Sequence, residues 1–279
     1  MPWRSRAIPR STPRTAVAVI ALCLAAMLAP GLPASAASAR GTDLTLPVTD
    51  GPLHNQHITI HARIYYPQHT PAPAVLISPG FGGTVNSLDA EAEQLLGDGF
   101  VVLTYTPRGF GRSGGRIALN DPDYEVSDAH QLVNWLATRP QVQLDAPGDP
   151  RIGVTGASYG GALSLLLAGT DKRIDAIAPL ITYNNLATAL VPNSAGNRIP
   201  ASTPAAGASG ADGVFKKSWA GNLFAIGLAG RRSARPGCGA FTAAVCAAYT
   251  QLATSGRPDA STLALLRHDS PASVTGRIT

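Results

Sequence analysis

Ile152-Gly153-Val154-Thr155-Gly156-Ala157-Ser158-Tyr159-Gly160-Gly161-Ala162-Leu163-Ser164-Leu165-Leu166-Leu167-Ala168 is the stretch that decides the fold. Its first residues form a short apolar run, which suits a strand buried on both faces. From Gly161 to Ala168 the chain is apolar nearly all round, which suits a buried helix. Ser158 falls on the turn between them. A serine on so tight a strand-to-helix turn needs small neighbours, and Gly156, Ala157, Gly160 and Gly161 supply them. Its hydroxyl then stands at a helix N-terminus, where free N–H groups and the helix dipole favour an anion. Ser158 is therefore the candidate nucleophile.

The pattern repeats outward from this turn. Ala74-Val75-Leu76-Ile77 is an apolar run ended by Ser78-Pro79-Gly80, and Phe100-Val101-Val102-Leu103 is another ended by Thr106-Pro107-Arg108-Gly109. Ile174 to Ile181 forms a further run. Before them, Asp43 to Val48 reads as a strand. His57 to Tyr65 alternates polar and apolar, which predicts an antiparallel strand with His57 and His61 on its solvated face. Helical spacing appears over Leu88 to Asp98 and in Val126, Ala129, Leu132, Val133 and Leu136. Strands alternating with helices predict an α/β domain with a mostly parallel, doubly wound sheet over residues 40–181. Residues 182–272 read as a helical insertion or cap. It holds a flexible Pro192–Gly213 stretch, then helices over Phe215–Leu228, Phe241–Leu252 and Ser261–Arg267.

Ser78-Pro79-Gly80-Phe81-Gly82-Gly83 closes one of the buried strands. Acyl transfer builds negative charge on a carbonyl oxygen, which needs donors already in place. The backbone N–H groups of Phe81 and Tyr159 are the candidate pair, with Phe81 preferred to Gly82.

The 279 residues carry a net charge of +5, but Arg4, Arg6, Arg10 and Arg14 precede any acidic residue. Setting those four aside leaves 18 basic against 17 acidic residues, so no nucleic-acid partner is expected. The four arginines head an apolar run, Ala16 to Ala29. Helix breakers and two small-residue sites follow, Ala34-Ser35-Ala36 and Ala37-Ser38-Ala39. This order predicts a signal peptide over 1–39, the general secretory route, and an extracellular product with no membrane association after cleavage. The apolar run is too short to span a bilayer, which takes about 20 residues. The mature part keeps two cysteines, Cys238 and Cys246, which in an exported chain suggest one disulfide; two free buried thiols are the alternative. Pro236, Gly237 and Gly239 place Cys238 on a turn from which it can fold back on the following helix.

The run Thr104-Tyr105-Thr106-Pro107-Arg108-Gly109-Phe110-Gly111-Arg112-Ser113-Gly114-Gly115 resembles the R-G-x-G-x-S-x-G loop of the X-Pro dipeptidyl-peptidase (S15) and cocaine-esterase-like family of α/β-hydrolases. Asp128-Ala129 ahead of Asn134-Trp135-Leu136 is similar to that family too, as are Gly156-Ala157-Ser158-Tyr159-Gly160-Gly161 and Ala176-Ile177-Ala178-Pro179. The resemblance covers residues 43–183. It implies cleavage of a peptide, ester or amide bond through an acyl-enzyme on Ser158, with no metal or organic cofactor and a small molecule or peptide as substrate. It also implies that Arg108 to Gly115 are structural and that Asp128 braces a helix. Peptidase and esterase both stay open. So do a generic lipase or carboxylesterase, a non-catalytic protein of the same fold, and the oligomeric state.

In this fold the acid and the histidine follow the serine in the chain. His268 is the one histidine after Ser158, in Arg267-His268-Asp269-Ser270-Pro271. Adjacent residues at a helix end are not expected to form an orienting pair, so His268 is discounted as the base. His130 precedes the serine on the polar side of a helix and is discounted as well. The acid and the base are expected beyond Thr279, with 273–279 the start of a strand and the last strands missing. The 279 residues alone are accordingly expected to be inactive and poorly soluble.

Overall fold

The computed structural model describes residues 41–192, 214–230 and 237–278. The signal-peptide reading of 1–39 and nearly all of the Pro192–Gly213 stretch lie outside the described residues.

Eight strands occur in chain order: β1 (Thr42–Asp50), β2 (Gln56–Tyr65), β3 (Ala74–Ser78), β4 (Val101–Tyr105), β5 (Leu144–Ala146), β6 (Asp149–Pro150), β7 (Ile152–Ala157) and β8 (Ile174–Leu180). Six of them form one sheet in the order β1-β2-β4-β3-β7-β8, and β5 with β6 make a small hairpin. The first two pairings are antiparallel, and β4, β3, β7 and β8 run parallel. Helices α1 (Asp89–Gly97), α2 (Ser127–Ala137) and α3 (Tyr159–Thr170) cover the sheet. Leu132 and Leu136 of α2 and Leu163, Leu166 and Leu167 of α3 pack with Leu76, Leu103 and Val154 on one face. Ala92 of α1 packs with Val75, Ile77 and Val102 on the other. Two helix layers explain the unbroken apolar runs: every residue of β3 and β4 is buried. Each such Leu or Ile stabilises the fold by about 1.5–3 kcal/mol relative to exposure.

After β8 come four helices, α4 (Leu186–Leu190), α5 (Lys217–Leu228), α6 (Ala243–Ser255) and α7 (Ala260–His268). The Thr242 side chain caps α6 by accepting from the Val245 N–H, and Asp259 caps α7 by accepting from the Thr262 N–H. This helical segment is tied to the loop after β4. The Ile117 N–H donates to the Ala240 carbonyl at 2.9 Å, and the Thr242 N–H donates to the Ile117 carbonyl at 3.0 Å. Cys238 sits on the turn before α6 and is bonded to Cys246 in its opening turns, with Cα atoms 5.6 Å apart.

Three features depart from the sequence reading. His61 is buried, not solvated. Strand β1 pairs beside it, and the loop after β4 folds over it: its N–H donates to Ser113 Oγ at 2.9 Å and its Nε2 lies 3.2 Å from Asp43 Oδ2. His57 is exposed. The second departure is at 273–279, where a strand start is expected. The chain instead makes short 3-10 turns over Pro271–Ser273 and Thr275–Arg277. Burial of Val274 against α3 explains it: a Cβ on Gly169 would lie 2.6 Å from the Val274 Cβ. The third is the pairing of His268 with Asp269, described below. Among the described residues β8 has no strand on its outer side, and Ile181 just beyond it is 89% exposed. No helix among them is long and apolar enough to cross a membrane.

Candidate active site

Ser158 stands between β7 and α3 with φ 54° and ψ −112°. Such a conformation costs a non-glycine residue about 1–3 kcal/mol and persists only where its surroundings enforce it. They do so here. The Ser158 N–H donates to the Leu180 carbonyl at 2.9 Å, and Thr182 Oγ1 donates to the Ser158 carbonyl at 2.7 Å. The residue is exposed, and its hydroxyl makes no hydrogen bond among the described residues.

The turn after β3 faces it. A Cβ on Gly80 would lie 3.9 Å from the Ser158 Cβ, so Phe81 begins beside the serine. The Phe81 ring meets the Tyr159 ring edge-on at 5.3 Å. Neither the Phe81 N–H nor the Tyr159 N–H has an acceptor among the described residues. Tyr159 opens α3, where amides have no intrahelical partner. Ser158 thus adjoins two unused donors.

Behind Tyr159 lies a buried polar group that the sequence does not announce. The Asn120 N–H donates to the Tyr159 hydroxyl at 3.0 Å, and Asn120 Nδ2 donates to the Tyr159 carbonyl at 2.9 Å. The Tyr159 hydroxyl donates to Glu125 Oε1 at 3.1 Å, and the Ala118 N–H donates to the same oxygen at 2.7 Å. Burial pushes the Glu125 carboxyl up to about 7, against the pull of Arg108 and of these donors. Burial also raises Tyr159 and Tyr183 well above the usual phenol range. Arg108 is buried in a bridge to Asp50, with its Nε 3.5 Å from Asp128 Oδ2. That makes Asp128 a brace between helix and loop.

The histidines lie apart from the serine's hydrogen bonds. His130 Nδ1 is 3.1 Å from Asp171 Oδ2. His268 Nδ1 is 3.0 Å from Asp269 Oδ1, which corrects the expectation that these neighbours would not pair. Asp269 ends α7 by donating its N–H to the Leu265 carbonyl, and this turn brings its carboxylate to the ring. Burial, with Asp121 and Glu125 nearby, pushes the Asp269 carboxyl up to about 9. Asp121, His268 and Asp269 offer atoms within 4.8 Å of one another.

Beside Ser158 opens a cavity of about 110 Å³, walled by Phe81, Tyr183, Phe224, Phe241 and Tyr249, with Trp219 also lining it. Its described lining contains no charged side chain. The rings are stacked on one another: Phe224 lies 4.6 Å from Phe241 and 3.7 Å from Tyr249. The helical segment after β8 supplies most of this wall, and its apolar spacing is not separable in sequence from ordinary core packing. Asn120 and Glu125 gave equally little signal, because their partner Tyr159 is 39 and 34 positions away in sequence.

The parallel sheet, the strained serine turn and the facing loop define an α/β-hydrolase. Residues 55–214 match the family model described as X-Pro dipeptidyl-peptidase (S15 family), and the chain belongs to that family. It is 29% identical over 195 residues to a cutinase from Thermobifida fusca (strain YX), covering 65% of this chain and 62% of that one. It is 32% identical over 122 residues to the polyketide transferase grgF of a Penicillium species, covering 42% of this chain and 40% of the other. The crystal structure of the α/β hydrolase GrgF from Penicillium sp. sh18 aligns with a TM-score of 0.49 at 18% identity, over 86% of this chain and 76% of that one. The chain thus spans less than two thirds of the length of the curated relatives it matches.

Proposed function

We propose that the protein is a secreted serine hydrolase that cleaves an ester with an apolar acyl group through an acyl-enzyme on Ser158. In this reading Ser158 Oγ attacks the carbonyl carbon and its proton passes to a general base. The carbonyl oxygen takes up negative charge between the Phe81 and Tyr159 N–H groups. Collapse expels the alcohol, and water then releases the acid. The observation that carries the reading is an exposed serine at φ 54°, beside two unused amides and at the mouth of an apolar cavity.

The same cavity favours an ester over an X-Pro peptide. A dipeptidyl-peptidase substrate brings a free α-ammonium close to the scissile bond, and an ammonium in an apolar site needs a carboxylate partner. The described lining offers none. Export through residues 1–39 belongs to the same proposal, with the bonded Cys238–Cys246 pair in support.

The test is turnover of p-nitrophenyl esters and of an X-Pro p-nitroanilide by the full-length protein and by Ser158→Ala. Ester turnover lost in Ser158→Ala supports the reading. Preference for the anilide overturns the substrate assignment, and equal turnover by both chains overturns the nucleophile. Sequencing the N-terminus of the exported protein tests the cleavage site.

A further inference from the structure

We propose that Asn120 is a positioning residue for the reaction at Ser158, holding Tyr159 at its carbonyl and its phenol together. The inference rests on Ser158 and the Tyr159 amide acting as proposed above.

Three observations carry it. Asn120 is buried, 1% exposed, and grips Tyr159 with two donors: its N–H to the Tyr159 hydroxyl at 3.0 Å and Nδ2 to the Tyr159 carbonyl at 2.9 Å, with Nδ2 also 3.5 Å from the Tyr183 hydroxyl. Tyr159 directly follows the nucleophile, and its amide is one of the two free donors beside it. Asn120 also reaches Tyr159 through unusual backbone. Leu119 has φ 68° and Asn120 φ 65°, two successive non-glycine residues in the left-handed region. Such strain marks places where the surroundings over-determine a geometry. Glu125 completes the arrangement by accepting from the Tyr159 hydroxyl and from the Ala118 N–H, which fixes the loop carrying Asn120 to the same phenol. The residue bearing the amide is therefore gripped at two points about a side chain's length apart, and rotation of its peptide groups is opposed.

A simpler role would be that Asn merely tolerates the left-handed conformation. Asn120→Gly separates the two. Glycine adopts φ near 65° without strain, keeps the backbone N–H and removes only the side-chain amide. The reaction of a fluorophosphonate with the full-length protein is measured as its maximal rate and its half-saturating concentration, alongside the unfolding midpoint. In Asn120→Gly the maximal rate is expected to fall roughly 10- to 100-fold, as for a small misplacement of a reacting group. Half-saturation is expected within about twofold of wild type, because Asn120 does not itself line the cavity. Tyr159→Phe keeps the ring against Phe81, loses the hydroxyl bonds to Asn120 and Glu125, and is expected to lower the maximal rate in the same sense. A wild-type maximal rate in Asn120→Gly overturns the proposal. So does a loss shared equally by half-saturation and the unfolding midpoint. If Asn120→Gly does not fold, an unchanged rate in Tyr159→Phe overturns it. A wild type that labels no better than Ser158→Ala overturns the Ser158 reading itself, and the role of Asn120 falls with it.

Discussion

Gly160 approaches the end of β3 so closely that a Cβ on it would lie 2.0 Å from the Ser78 carbonyl oxygen. Gly156 approaches the same oxygen, with a distance of 2.4 Å to its built Cβ. Both glycines are thus needed for the strand end and the serine turn to sit side by side. Gly160→Ala must push α3 away from β3. We expect a loss of about 1–3 kcal/mol, the usual range for overpacking, together with loss of Ser158 labelling. Gly97→Ala is the control: nothing lies within 4 Å of its built Cβ, so the unfolding midpoint is expected to stay level or rise. Urea unfolding of the two variants checks both.

Arg108 is 1% exposed and serves two buried carboxylates, Asp50 and Asp128. Replacing it by leucine leaves both without their cation. Breaking one side of a buried ion pair costs about 3–5 kcal/mol, and Arg108→Leu, which leaves Asp50 without its partner, is expected to fall in that range at pH 7. Arg108→Lys should recover little, since a point charge does not reproduce the guanidinium fork. Unfolding curves for the two variants decide it. A change below about 1 kcal/mol in Arg108→Leu would mean that the loop is not braced this way.

What the sequence made legible follows from how local the cause was. The buried strands showed because two helix layers demand continuous apolar runs, and Ala74–Ile77 or Ile152–Thr155 can hardly be read otherwise. The serine turn showed because steric demand forces small residues into neighbouring positions. His61 was misread because alternation in β2 implies one wet face, whereas the loop carrying Arg112 and Ser113 folds back over it from fifty residues away. Asn120 and Glu125 were invisible for the same reason: their partner, Tyr159, lies 39 and 34 positions away in sequence. The cavity wall needed the fold as well, because Phe224, Phe241 and Tyr249 come from different helices and turns and meet only after packing.

The Cys238–Cys246 bond closes a short loop at the base of α6, and Val245 and Tyr249 on that helix line the cavity. Closing a loop of this length stabilises a fold by about 2–3 kcal/mol in the chain-entropy account. Cys238→Ser with Cys246→Ser is expected to lower stability by that amount. It should also weaken fluorophosphonate half-saturation more than maximal rate, because the wall loosens while the serine turn stays. Unfolding and labelling with and without reductant measure the two effects. If reductant shifts neither, the bond does not support the wall.

Stability should fall as pH rises from 5 to 9. Burial pushes the Glu125 carboxyl up to about 7, and burial with nearby Asp121 and Glu125 pushes Asp269 up to about 9. Both values lie above those of an unfolded chain, so between about pH 4.5 and 9 the folded state binds more protons than the unfolded state. The slope of unfolding free energy against pH is then negative. The contribution is whole below pH 4, is lost through pH 7 for Glu125, and is lost up to pH 9 for Asp269. Each group supplies at most about 1.4 kcal/mol per pH unit inside its window. Burial also raises Asp128 and adds in the same direction. Asp171 acts the other way. Burial pushes it up, but hydrogen bonds from His130 and Arg173 outweigh this and hold it below the usual range, so its effect appears only in acid. Urea midpoints across pH 5 to 9 should therefore decline, with Glu125→Gln flattening the part below 7 and Asp269→Asn flattening the whole range, on both sides of 7. Glutamine at 125 can still accept from Tyr159 and Ala118, so its flattening would report the proton and not a lost hydrogen bond. A midpoint that holds level or rises over this range would mean that these carboxyls are ionised in the folded protein.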